Sequence, residues 1–335
     1  MAVLYIVEQG ALLRKQNDRL VVEKAGETIA SVPAVKVEQV VIFGNVHLTT
    51  PVIVYLLTRG IDAAFLSLDG RYYGRLLSSE SGFGELRQRH LRMADDPSKP
   101  LEIARAMVRA KLHNGRTLLQ RAQRERPHPE LAKAIGDLEA AIGRTERVTR
   151  LSSLIGAEGY GTAVYFRGFK FMLRQDMGFG GRQKRPPTDP INALLSFGYT
   201  LLAYGIQAAV HTVGLDPYVG FLHAPAYSRP SLVLDLMEEF RPVVIDALVL
   251  RLVNARIIAE RDFVAQPEVA ERPVLLTDEA RRRFLAAYEE RLQSEVTDPV
   301  TGEKVTTRRL FERQARQIAR LALGQQASYQ PWLIR

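Results

Sequence analysis

Residues 191–213 read INALLSFGYTLLAYGIQAAVHTV, a stretch that is apolar on almost every face of a helix. A helix without a polar face is either buried in the core of a large domain or embedded in a membrane. The chain has no uninterrupted apolar run of about 18 residues, the length typical of a transmembrane segment. The stretch therefore predicts the central helix of a large helical domain, and no association with a membrane.

The regions around this helix separate into a strand-rich part and a helical part. Residues 1–77 alternate short β-branched and aromatic runs with turn residues such as Asn17-Asp18 and Gly44-Asn45. The small, polar stretch SSESGFG begins at residue 78 and predicts a linker. Beyond it the helical period dominates. We predict an α+β protein with a small N-terminal β-sandwich-like domain (1–77), a linker (78–90) and a large all-α domain (91–335).

The composition of the 335 residues narrows the possible chemistry. There is no cysteine, which excludes disulfides, thiolate zinc sites and a cysteine nucleophile. Glu8 and Gly10 interrupt the apolar N-terminal run too early for a secretory signal. Together these features favour a cytoplasmic protein.

The positive charge is concentrated in the middle of the chain. The net charge is +9, and residues 101–190 alone carry 17 Lys and Arg against 9 Asp and Glu. Such a concentration predicts a polyanionic partner, for which we favour nucleic acid, although a solvated basic face would have the same charge. Four of the cations lie on one predicted helix: Arg105, Arg109, Lys111 and Arg116. The predicted contacts to DNA phosphates are Arg167, Lys170, Arg182, Lys184 and Arg185.

One carboxylate lies within an apolar helical stripe. Leu154 precedes Glu158 by four residues, and Thr162 follows it by four. A buried carboxylate without a partner is costly. We therefore expect Glu158 to be paired with a nearby arginine, protonated, or bound to a metal ion.

A histidine and two further carboxylates complete a candidate metal-binding set. Glycine and proline on either side of His223, in Gly-Phe-Leu-His-Ala-Pro, predict that it lies on a loop. Asp235 and Glu238 are three residues apart and share one face of a short helix, where a divalent cation would relieve their repulsion. Carboxylates and an imidazole suit Mg²⁺ or Mn²⁺ acting on phosphate. The alternatives are a packed or surface histidine and an ordinary exposed acidic turn.

Four separated motifs, in this order, resemble those of the CRISPR-associated adaptation endonuclease (spacer integrase) family. They are residues 157–159 (AEG), 192–199 (NALLSFGY), 220–223 (GFLH) and 231–242 (SLVLDLMEEFRP). Three N-terminal motifs resemble the β domain of the same family, at residues 8–10 (EQG), 41–46 (VIFGNV) and 70–76 (GRYYGRL). The resemblance extends over essentially the whole chain.

The resemblance implies a metal-dependent DNA endonuclease and integrase that inserts new spacers into a CRISPR array by transesterification with a 3′-hydroxyl. The helical domain would be catalytic, with Glu158, His223 and Glu238 as ligands of Mg²⁺ or Mn²⁺. Asp235 corresponds to a second acidic position that supports the site and counts among the catalytic residues. Glu239 competes with Glu238 for the third ligand position, but it lies one residue off the motif.

The resemblance also implies partners. The N-terminal β domain would form a homodimer, and two dimers would flank a dimer of a small ferredoxin-like adaptation subunit. This heterohexamer would act on double-stranded protospacer and repeat DNA. Two other functions remain compatible with the residues. One is a stand-alone metal-dependent DNA repair nuclease, and the other is a catalytically silent DNA-binding scaffold in which Glu158 and Glu238 pair with arginines.

Overall fold

The structure is a computed structural model of the 335-residue chain. It describes residues 2–68, 70, 72–76, 83–183, 187–223, 227, 229–265 and 274–335. The chain divides into two compact units, residues 1–82 and 83–335. The first is strand-rich and the second is helical, which confirms the predicted fold class.

Two four-stranded sheets form the first unit. One contains, in spatial order, β1 (Ala2–Ile6), β5 (Val37–Phe43), β7 (Asp62–Leu66) and β8 (Tyr72–Leu76), with β8 alone antiparallel to its neighbour. The other contains β4 (Glu27–Pro33), β3 (Arg19–Lys24), β2 (Ala11–Gln16) and β6 (Val46–Leu48), of which only β6 runs parallel to its neighbour. A 3₁₀ turn (Ala34–Lys36) precedes β5, and helix α1 (Thr50–Thr58) lies between β6 and β7.

Side chains from both sheets pack into one apolar core. Leu13 and Leu20 of the second sheet share a buried cluster with Ile6 and Ile42 of the first. Because successive side chains of a strand point to opposite faces, each sheet buries one face in this way. The packing is that of the predicted sandwich-like domain.

The described part of the second unit consists mainly of α-helices. They are α2 (Gly84–Ala94), α3 (Lys99–Glu125), α4 (Pro129–Arg147), α5 (Leu151–Met172), α6 (Pro190–Val213), α7 (Ser231–Phe240), α8 (Ala247–Asn254), α9 (Asp278–Gln293) and α10 (Thr307–Ala322). Helix α3 packs against α4, α5 and α7, and α6 packs against α7 and α10. These contacts place α5 and α7, which carry the predicted carboxylates, on the same central helix α3.

Two features of the second unit differ from the sequence-based expectation. Residues 84–90 of the predicted linker belong to α2, because Leu86 and His90 are buried within the helical unit. The predicted all-α region also contains two antiparallel ribbons. They are formed by β9 (Phe263–Ala265) with β10 (Val274–Leu276) and by β11 (Glu295–Thr297) with β12 (Lys304–Thr306).

Helix α6 is the predicted central buried helix. The side chain of Asp189 accepts a hydrogen bond from the backbone N–H of Asn192 (2.9 Å) and caps its first turn. Gly214 ends it in the left-handed conformation, with φ 89°. By length and composition α6 resembles a membrane span, but 67% of its most apolar window is buried inside the structure. That burial is the behaviour of a core helix.

Helices α7 and α8 are joined by a π-helical turn, Arg241–Asp246. Pro242 lacks the N–H that an α-helix needs at this position. At the end of the turn the N–H of Ala247 bonds to the carbonyl oxygen of Pro242, five residues back. Such wide turns often occur at functional sites. This one separates two charged side chains, Arg241 and Asp246, that take part in the networks described below.

Candidate metal centre

The two predicted carboxylate ligands meet at one lysine. Glu158 on α5 contacts the ammonium group of Lys111 on α3 through Oε1, and Glu238 on α7 lies 2.6 Å from the same Nζ through Oε2. Thr162, one turn beyond Glu158, donates a hydrogen bond to Glu158 Oε1 (2.7 Å). The Lys111 and Glu238 side chains are only 12% and 4% exposed. Packing of α3 between α5 and α7 therefore brings together two carboxylates that are 80 residues apart in the sequence.

The charges in this cluster keep it ionised. Burial alone would raise the pKa of Glu238, but the positive charges of Arg241 and Lys111 outweigh burial and lower it to about 2. Arg241 contributes directly, because its Nε donates to Glu238 Oε1 (3.2 Å). Burial alone would lower the pKa of Lys111, but the charges of Glu238 and Glu158 hold it above its ordinary value. At neutral pH Glu238 and Lys111 therefore face each other as a carboxylate and an ammonium group.

Asp235 holds the loop that carries His223. Its carboxylate is fully buried and accepts hydrogen bonds from the backbone N–H groups of Phe221 (2.6 Å), Leu222 (2.9 Å) and His223 (3.1 Å). Oδ1 also lies 2.6 Å from Nδ1 of the His223 ring. An ionised carboxylate only accepts, so the ring donates to Asp235 from Nδ1, and the other nitrogen, Nε2, is the one that could face a metal ion. A Cβ atom at Gly220 would lie 2.7 Å from Asp235 Oδ2, so only glycine lets the loop approach this closely.

The structure brings the predicted site residues together in two pairs. Glu158 and Glu238 share Lys111. His223 is paired with Asp235, and a positive charge on the His223 ring would lower the pKa of Glu238. Among the described residues, no three His, Asp or Glu side chains are grouped so as to hold a metal ion. The ammonium group of Lys111 contacts both glutamates. Of the three alternatives predicted for Glu158, the structure has the ion pair, but the partner is a lysine and not an arginine.

These residues nevertheless have the chemistry of a divalent metal site. Two carboxylates supply the hard oxygen ligands that Mg²⁺ and Mn²⁺ prefer, and an imidazole is a common further ligand. Metal-binding histidines usually donate their second ring N–H to a carboxylate, which fixes the ring. The hydrogen bond between His223 and Asp235 has that arrangement, with Nε2 left to bind the ion. The donor set therefore fits the predicted cation.

Glu239, the predicted competitor for the third ligand position, faces the other way. Its buried carboxylate accepts hydrogen bonds from Gln314 Nε2 (3.0 and 3.1 Å), the Tyr329 hydroxyl (2.5 Å) and the backbone N–H of Trp332 (2.5 Å). Asn114 on α3 binds the same C-terminal segment by donating to the carbonyl oxygen of Trp332 (2.9 Å). The end of the chain is therefore fastened to the helices that carry Lys111 and Glu238.

A second buried network lies on the far side of Arg241. The Tyr199 hydroxyl donates to Asp246 Oδ1 (2.5 Å), and the guanidinium groups of Arg241 and Arg182 lie 4.8 and 5.4 Å from the centre of the Tyr199 ring. Burial raises the pKa of Asp246 to about 6. Arg241 thus connects the candidate metal centre to Tyr199 of the NALLSFGY motif.

The predicted DNA contacts have different surroundings. Arg167 and Lys170 are exposed on α5, and Arg167 lies 3.5 Å from Asp137. Arg182 is turned inward, because its guanidinium group donates to Asn192 Oδ1 (2.8 Å) and Ser196 Oγ (3.1 Å). Lys184 and Arg185 lie outside the described residues. The basic side chains of α3 also bind within the protein: Arg105 contacts Val148, Arg109 contacts Glu146 and Arg116 contacts Glu139.

Lys111 is the site residue that sequence reasoning missed. It was grouped with the arginines of α3 as part of a basic face. Met107 and Val108, four and three residues before it, are both fully buried. That helical spacing was the available signal that Lys111 faces the interior.

The family of this chain follows from comparison with known proteins. The sequence model of the family CRISPR associated protein Cas1 matches residues 4–290. The chain belongs to this family. Among its Cas1 relatives, CRISPR-associated endonuclease Cas1 1 of Thermus thermophilus is 39% identical, with 99% of each chain aligned.

Solved Cas1 structures share the fold over the same extent. A Cas1 protein from Thermotoga maritima superposes with a TM-score of 0.83 at 26% identity and covers 98% of both chains. A Cas6-RT-Cas1–Cas2 complex contains a chain that matches 99% of this one with a TM-score of 0.83 at 26% identity. This protein covers 36% of that longer chain. The Cas1 fold therefore extends over both units.

Proposed function

We propose that this Cas1 protein is a metal-dependent DNA endonuclease and integrase that joins new spacer DNA to a CRISPR repeat. One observation carries the proposal: helix packing brings Glu158 and Glu238 to one point, beside a histidine loop held by Asp235. Two converging carboxylates with an oriented imidazole are suited to phosphodiester chemistry on a divalent cation. The endonuclease name of the Thermus thermophilus relative supports the same activity.

Glu158, Glu238 and His223 would hold the divalent ion, Mg²⁺ or Mn²⁺. When bound, the ion would polarise a phosphate oxygen and stabilise the negative charge that develops during displacement. Asp235 would position His223 by accepting hydrogen bonds from the ring at Nδ1 and from the backbone N–H groups of its loop. Arg241 is fixed between Glu238 and Tyr199 and provides a positive charge beside the place where phosphate would bind. A DNA 3′-hydroxyl that attacks a repeat phosphodiester would form a new P–O bond and release the 3′-hydroxyl of the attacked strand, which joins the two DNAs. Water as the nucleophile would break the same P–O bond of the repeat and cut the strand.

The DNA would bind to the positive surface of the helical unit. Arg167 and Lys170 lie exposed on α5, the helix that carries Glu158. Lys184 and Arg185 precede α6 in the sequence, and we retain them as proposed contacts. Arg182 would have to release Asn192 and Ser196 to reach a phosphate. Contacts of this kind reach the backbone phosphates of double-stranded DNA and carry little sequence information.

The proposed assembly is a homodimer joined through the strand-rich unit. Strands β1, β8, β4 and β6 lie at sheet edges, and edges of this kind need a cover or a partner. Val35 and Tyr73, 84% and 67% exposed, add apolar surface to the same unit. The solved Cas6-RT-Cas1–Cas2 complex supports a small Cas2 subunit as the further partner. The proposed assembly of the two proteins is a heterohexamer in the cytoplasm. Light scattering on the purified chain tests the dimer, which should have twice the 37.6 kDa mass of the chain.

The activity is tested with the full chain, Mn²⁺, a short duplex with free 3′-hydroxyl ends and a supercoiled plasmid carrying a repeat. We expect joining and nicking by the wild-type protein, and a loss of about 100-fold or more of both in Glu158→Gln and Glu238→Gln. Glu279→Gln, an exposed glutamate at the start of α9, is the matched control and should retain activity.

The same assay separates the proposal from its rivals. With a duplex that has 3′-dideoxy ends, the plasmid should still be nicked. The duplex should not be joined to it, because it lacks the 3′-hydroxyl nucleophile. If the plasmid is nicked but the duplex with free 3′-hydroxyl ends is never joined to it, the result would favour a repair nuclease. The catalytically silent scaffold gains support from one observation, the pairing of both carboxylates with Lys111. Absence of both activities in the wild-type protein would favour that scaffold.

A further inference from the structure

The buried ammonium group of Lys111 contacts the oxygen atoms that a metal ion would need. Glu158 uses Oε1 and Glu238 uses Oε2 to bind the same Nζ. Each carboxylate has a second oxygen and further lone pairs, so these contacts do not by themselves exclude a cation. A cation bound by both carboxylates would nevertheless lie close to the ammonium group of Lys111, and the two positive charges would repel each other.

The charge balance of the cluster points in the same direction. Glu158, Glu238 and Asp235 contribute three negative charges, and Lys111 and Arg241 contribute two positive ones. A divalent ion added to this cluster would leave it with a net positive charge in a buried environment. Like charges at such distances repel strongly where water is excluded. Without an additional anion, binding of the ion is opposed by Lys111.

The ammonium group also explains how the protein folds without the ion. Two buried carboxylates facing each other would be costly without a counter-charge. Lys111 supplies that charge from α3, the helix against which both α5 and α7 pack. Lys111 thus offsets part of the negative charge of the site in the absence of an ion.

We propose that Lys111 is a resident counter-ion that competes with the divalent cation for Glu158 and Glu238, so that the cation binds tightly only when DNA phosphate accompanies it. This inference rests on the proposed metal-dependent function. Once displaced, the ammonium group has a new partner in a phosphate oxygen of the DNA. The phosphate also restores the charge balance of the site. Metal ion and DNA would therefore bind cooperatively, with Lys111 as a positioning residue that links them.

The first test measures Mn²⁺ binding to the metal-stripped full chain by calorimetry, without DNA. We expect Lys111→Met to bind Mn²⁺ at least about tenfold more tightly than the wild-type protein, because the competing charge is gone. Lys133→Met removes the same charge from an exposed position on α4 and should match the wild-type affinity. Equal or weaker binding by Lys111→Met would overturn the inference.

Two additional variants keep the test decisive. Lys111→Gln removes the charge but keeps a hydrogen-bond donor, so it should also bind Mn²⁺ more tightly even if Lys111→Met fails to fold. Glu158→Gln should lose Mn²⁺ binding. If it binds as the wild-type protein does, the proposed metal site is wrong. If Glu158→Gln loses binding but the Lys111 variants match the wild type, only the inference is wrong.

The second test adds a short DNA duplex at saturating concentration. We expect the duplex to tighten Mn²⁺ binding at least about tenfold in the wild-type protein, and less than about threefold in Lys111→Met. Calorimetry again gives the affinities, so the result does not depend on catalysis. An equal effect of DNA in both proteins would show that Lys111 does not couple the two ligands.

Discussion

Glu239 offers a sharp test of how burial and the C-terminal segment together determine stability. It follows Glu238 on α7, yet its carboxylate is fully buried against Gln314, Tyr329 and the backbone of Trp332. Burial raises the pKa of Glu239 to about 7 from an ordinary value of 4.5, although the three donors act in the opposite direction. The folded protein therefore holds this proton more tightly than the unfolded chain does.

The sign and size of the effect follow from proton linkage. Between pH 4.5 and 7 the folded state binds more protons at Glu239 than the unfolded state, so the free energy of unfolding decreases as the pH rises. The contribution is complete below the unfolded pKa and is lost above the folded one. A difference of two to three pKa units corresponds to about 3 kcal/mol, and most of it is lost between pH 5 and pH 8.

The perturbation is Glu239→Gln, which keeps the shape of the side chain and removes its titration. We expect the stability of the wild-type protein relative to this variant to fall by about 2–3 kcal/mol from pH 5 to pH 8. Urea unfolding, monitored by the fluorescence of Trp332, measures this difference in stability. Trp332 is the only tryptophan in the chain, and the centre of its ring lies 5.5 Å from that of Phe240. Other titrating groups are common to both proteins and cancel in the difference.

Glu279→Gln provides the control, since the side chain is exposed at the start of α9. Its stability relative to the wild-type protein should not change with pH over the same range. The reasoning is refuted if the Glu239→Gln difference is also constant, within about 0.5 kcal/mol, between pH 5 and pH 8. That result would mean that Glu239 titrates alike in the folded and unfolded states.

Three further predictions concern the metal centre, its supporting helix and DNA. Asp235→Asn should weaken Mn²⁺ binding about 10- to 100-fold in calorimetry, because the ring of its histidine partner loses its anchor. Gly161→Ala places a methyl group against a leucine of α3 and should cost about 1–3 kcal/mol in urea unfolding. Gly159→Ala, on the same helix, has no atom within 4 Å and should not destabilise. Replacing Arg167 and Lys170 by Ala should lower the salt-dependence slope of DNA binding by about 0.9 per lost contact, and an unchanged slope would exclude them as phosphate contacts.

The sequence by itself determined the order of the units and the principal helices, and it singled out the candidate site residues. These properties depend on neighbours within a few positions along the chain. The apolar stretch of α6 predicted a core helix. Thr277, directly before Asp278 and Glu279 in the sequence, caps α9 by accepting a hydrogen bond from the N–H of Ala280. The motifs that resemble the Cas1 family likewise picked out Glu158, His223, Asp235 and Glu238 without any knowledge of distances.

Only the tertiary structure decided which charges meet. Lys111 appeared to belong to a solvated basic face, but packing of α3 turns it towards two carboxylates 47 and 127 residues away. Arg182 appeared free for DNA, but Asn192 and Ser196 bind its guanidinium group. Local periodicity shows whether a side chain faces the core or the solvent. It carries no information on the partner, because the partner is fixed by how whole helices pack and by the cost of leaving a buried charge uncompensated.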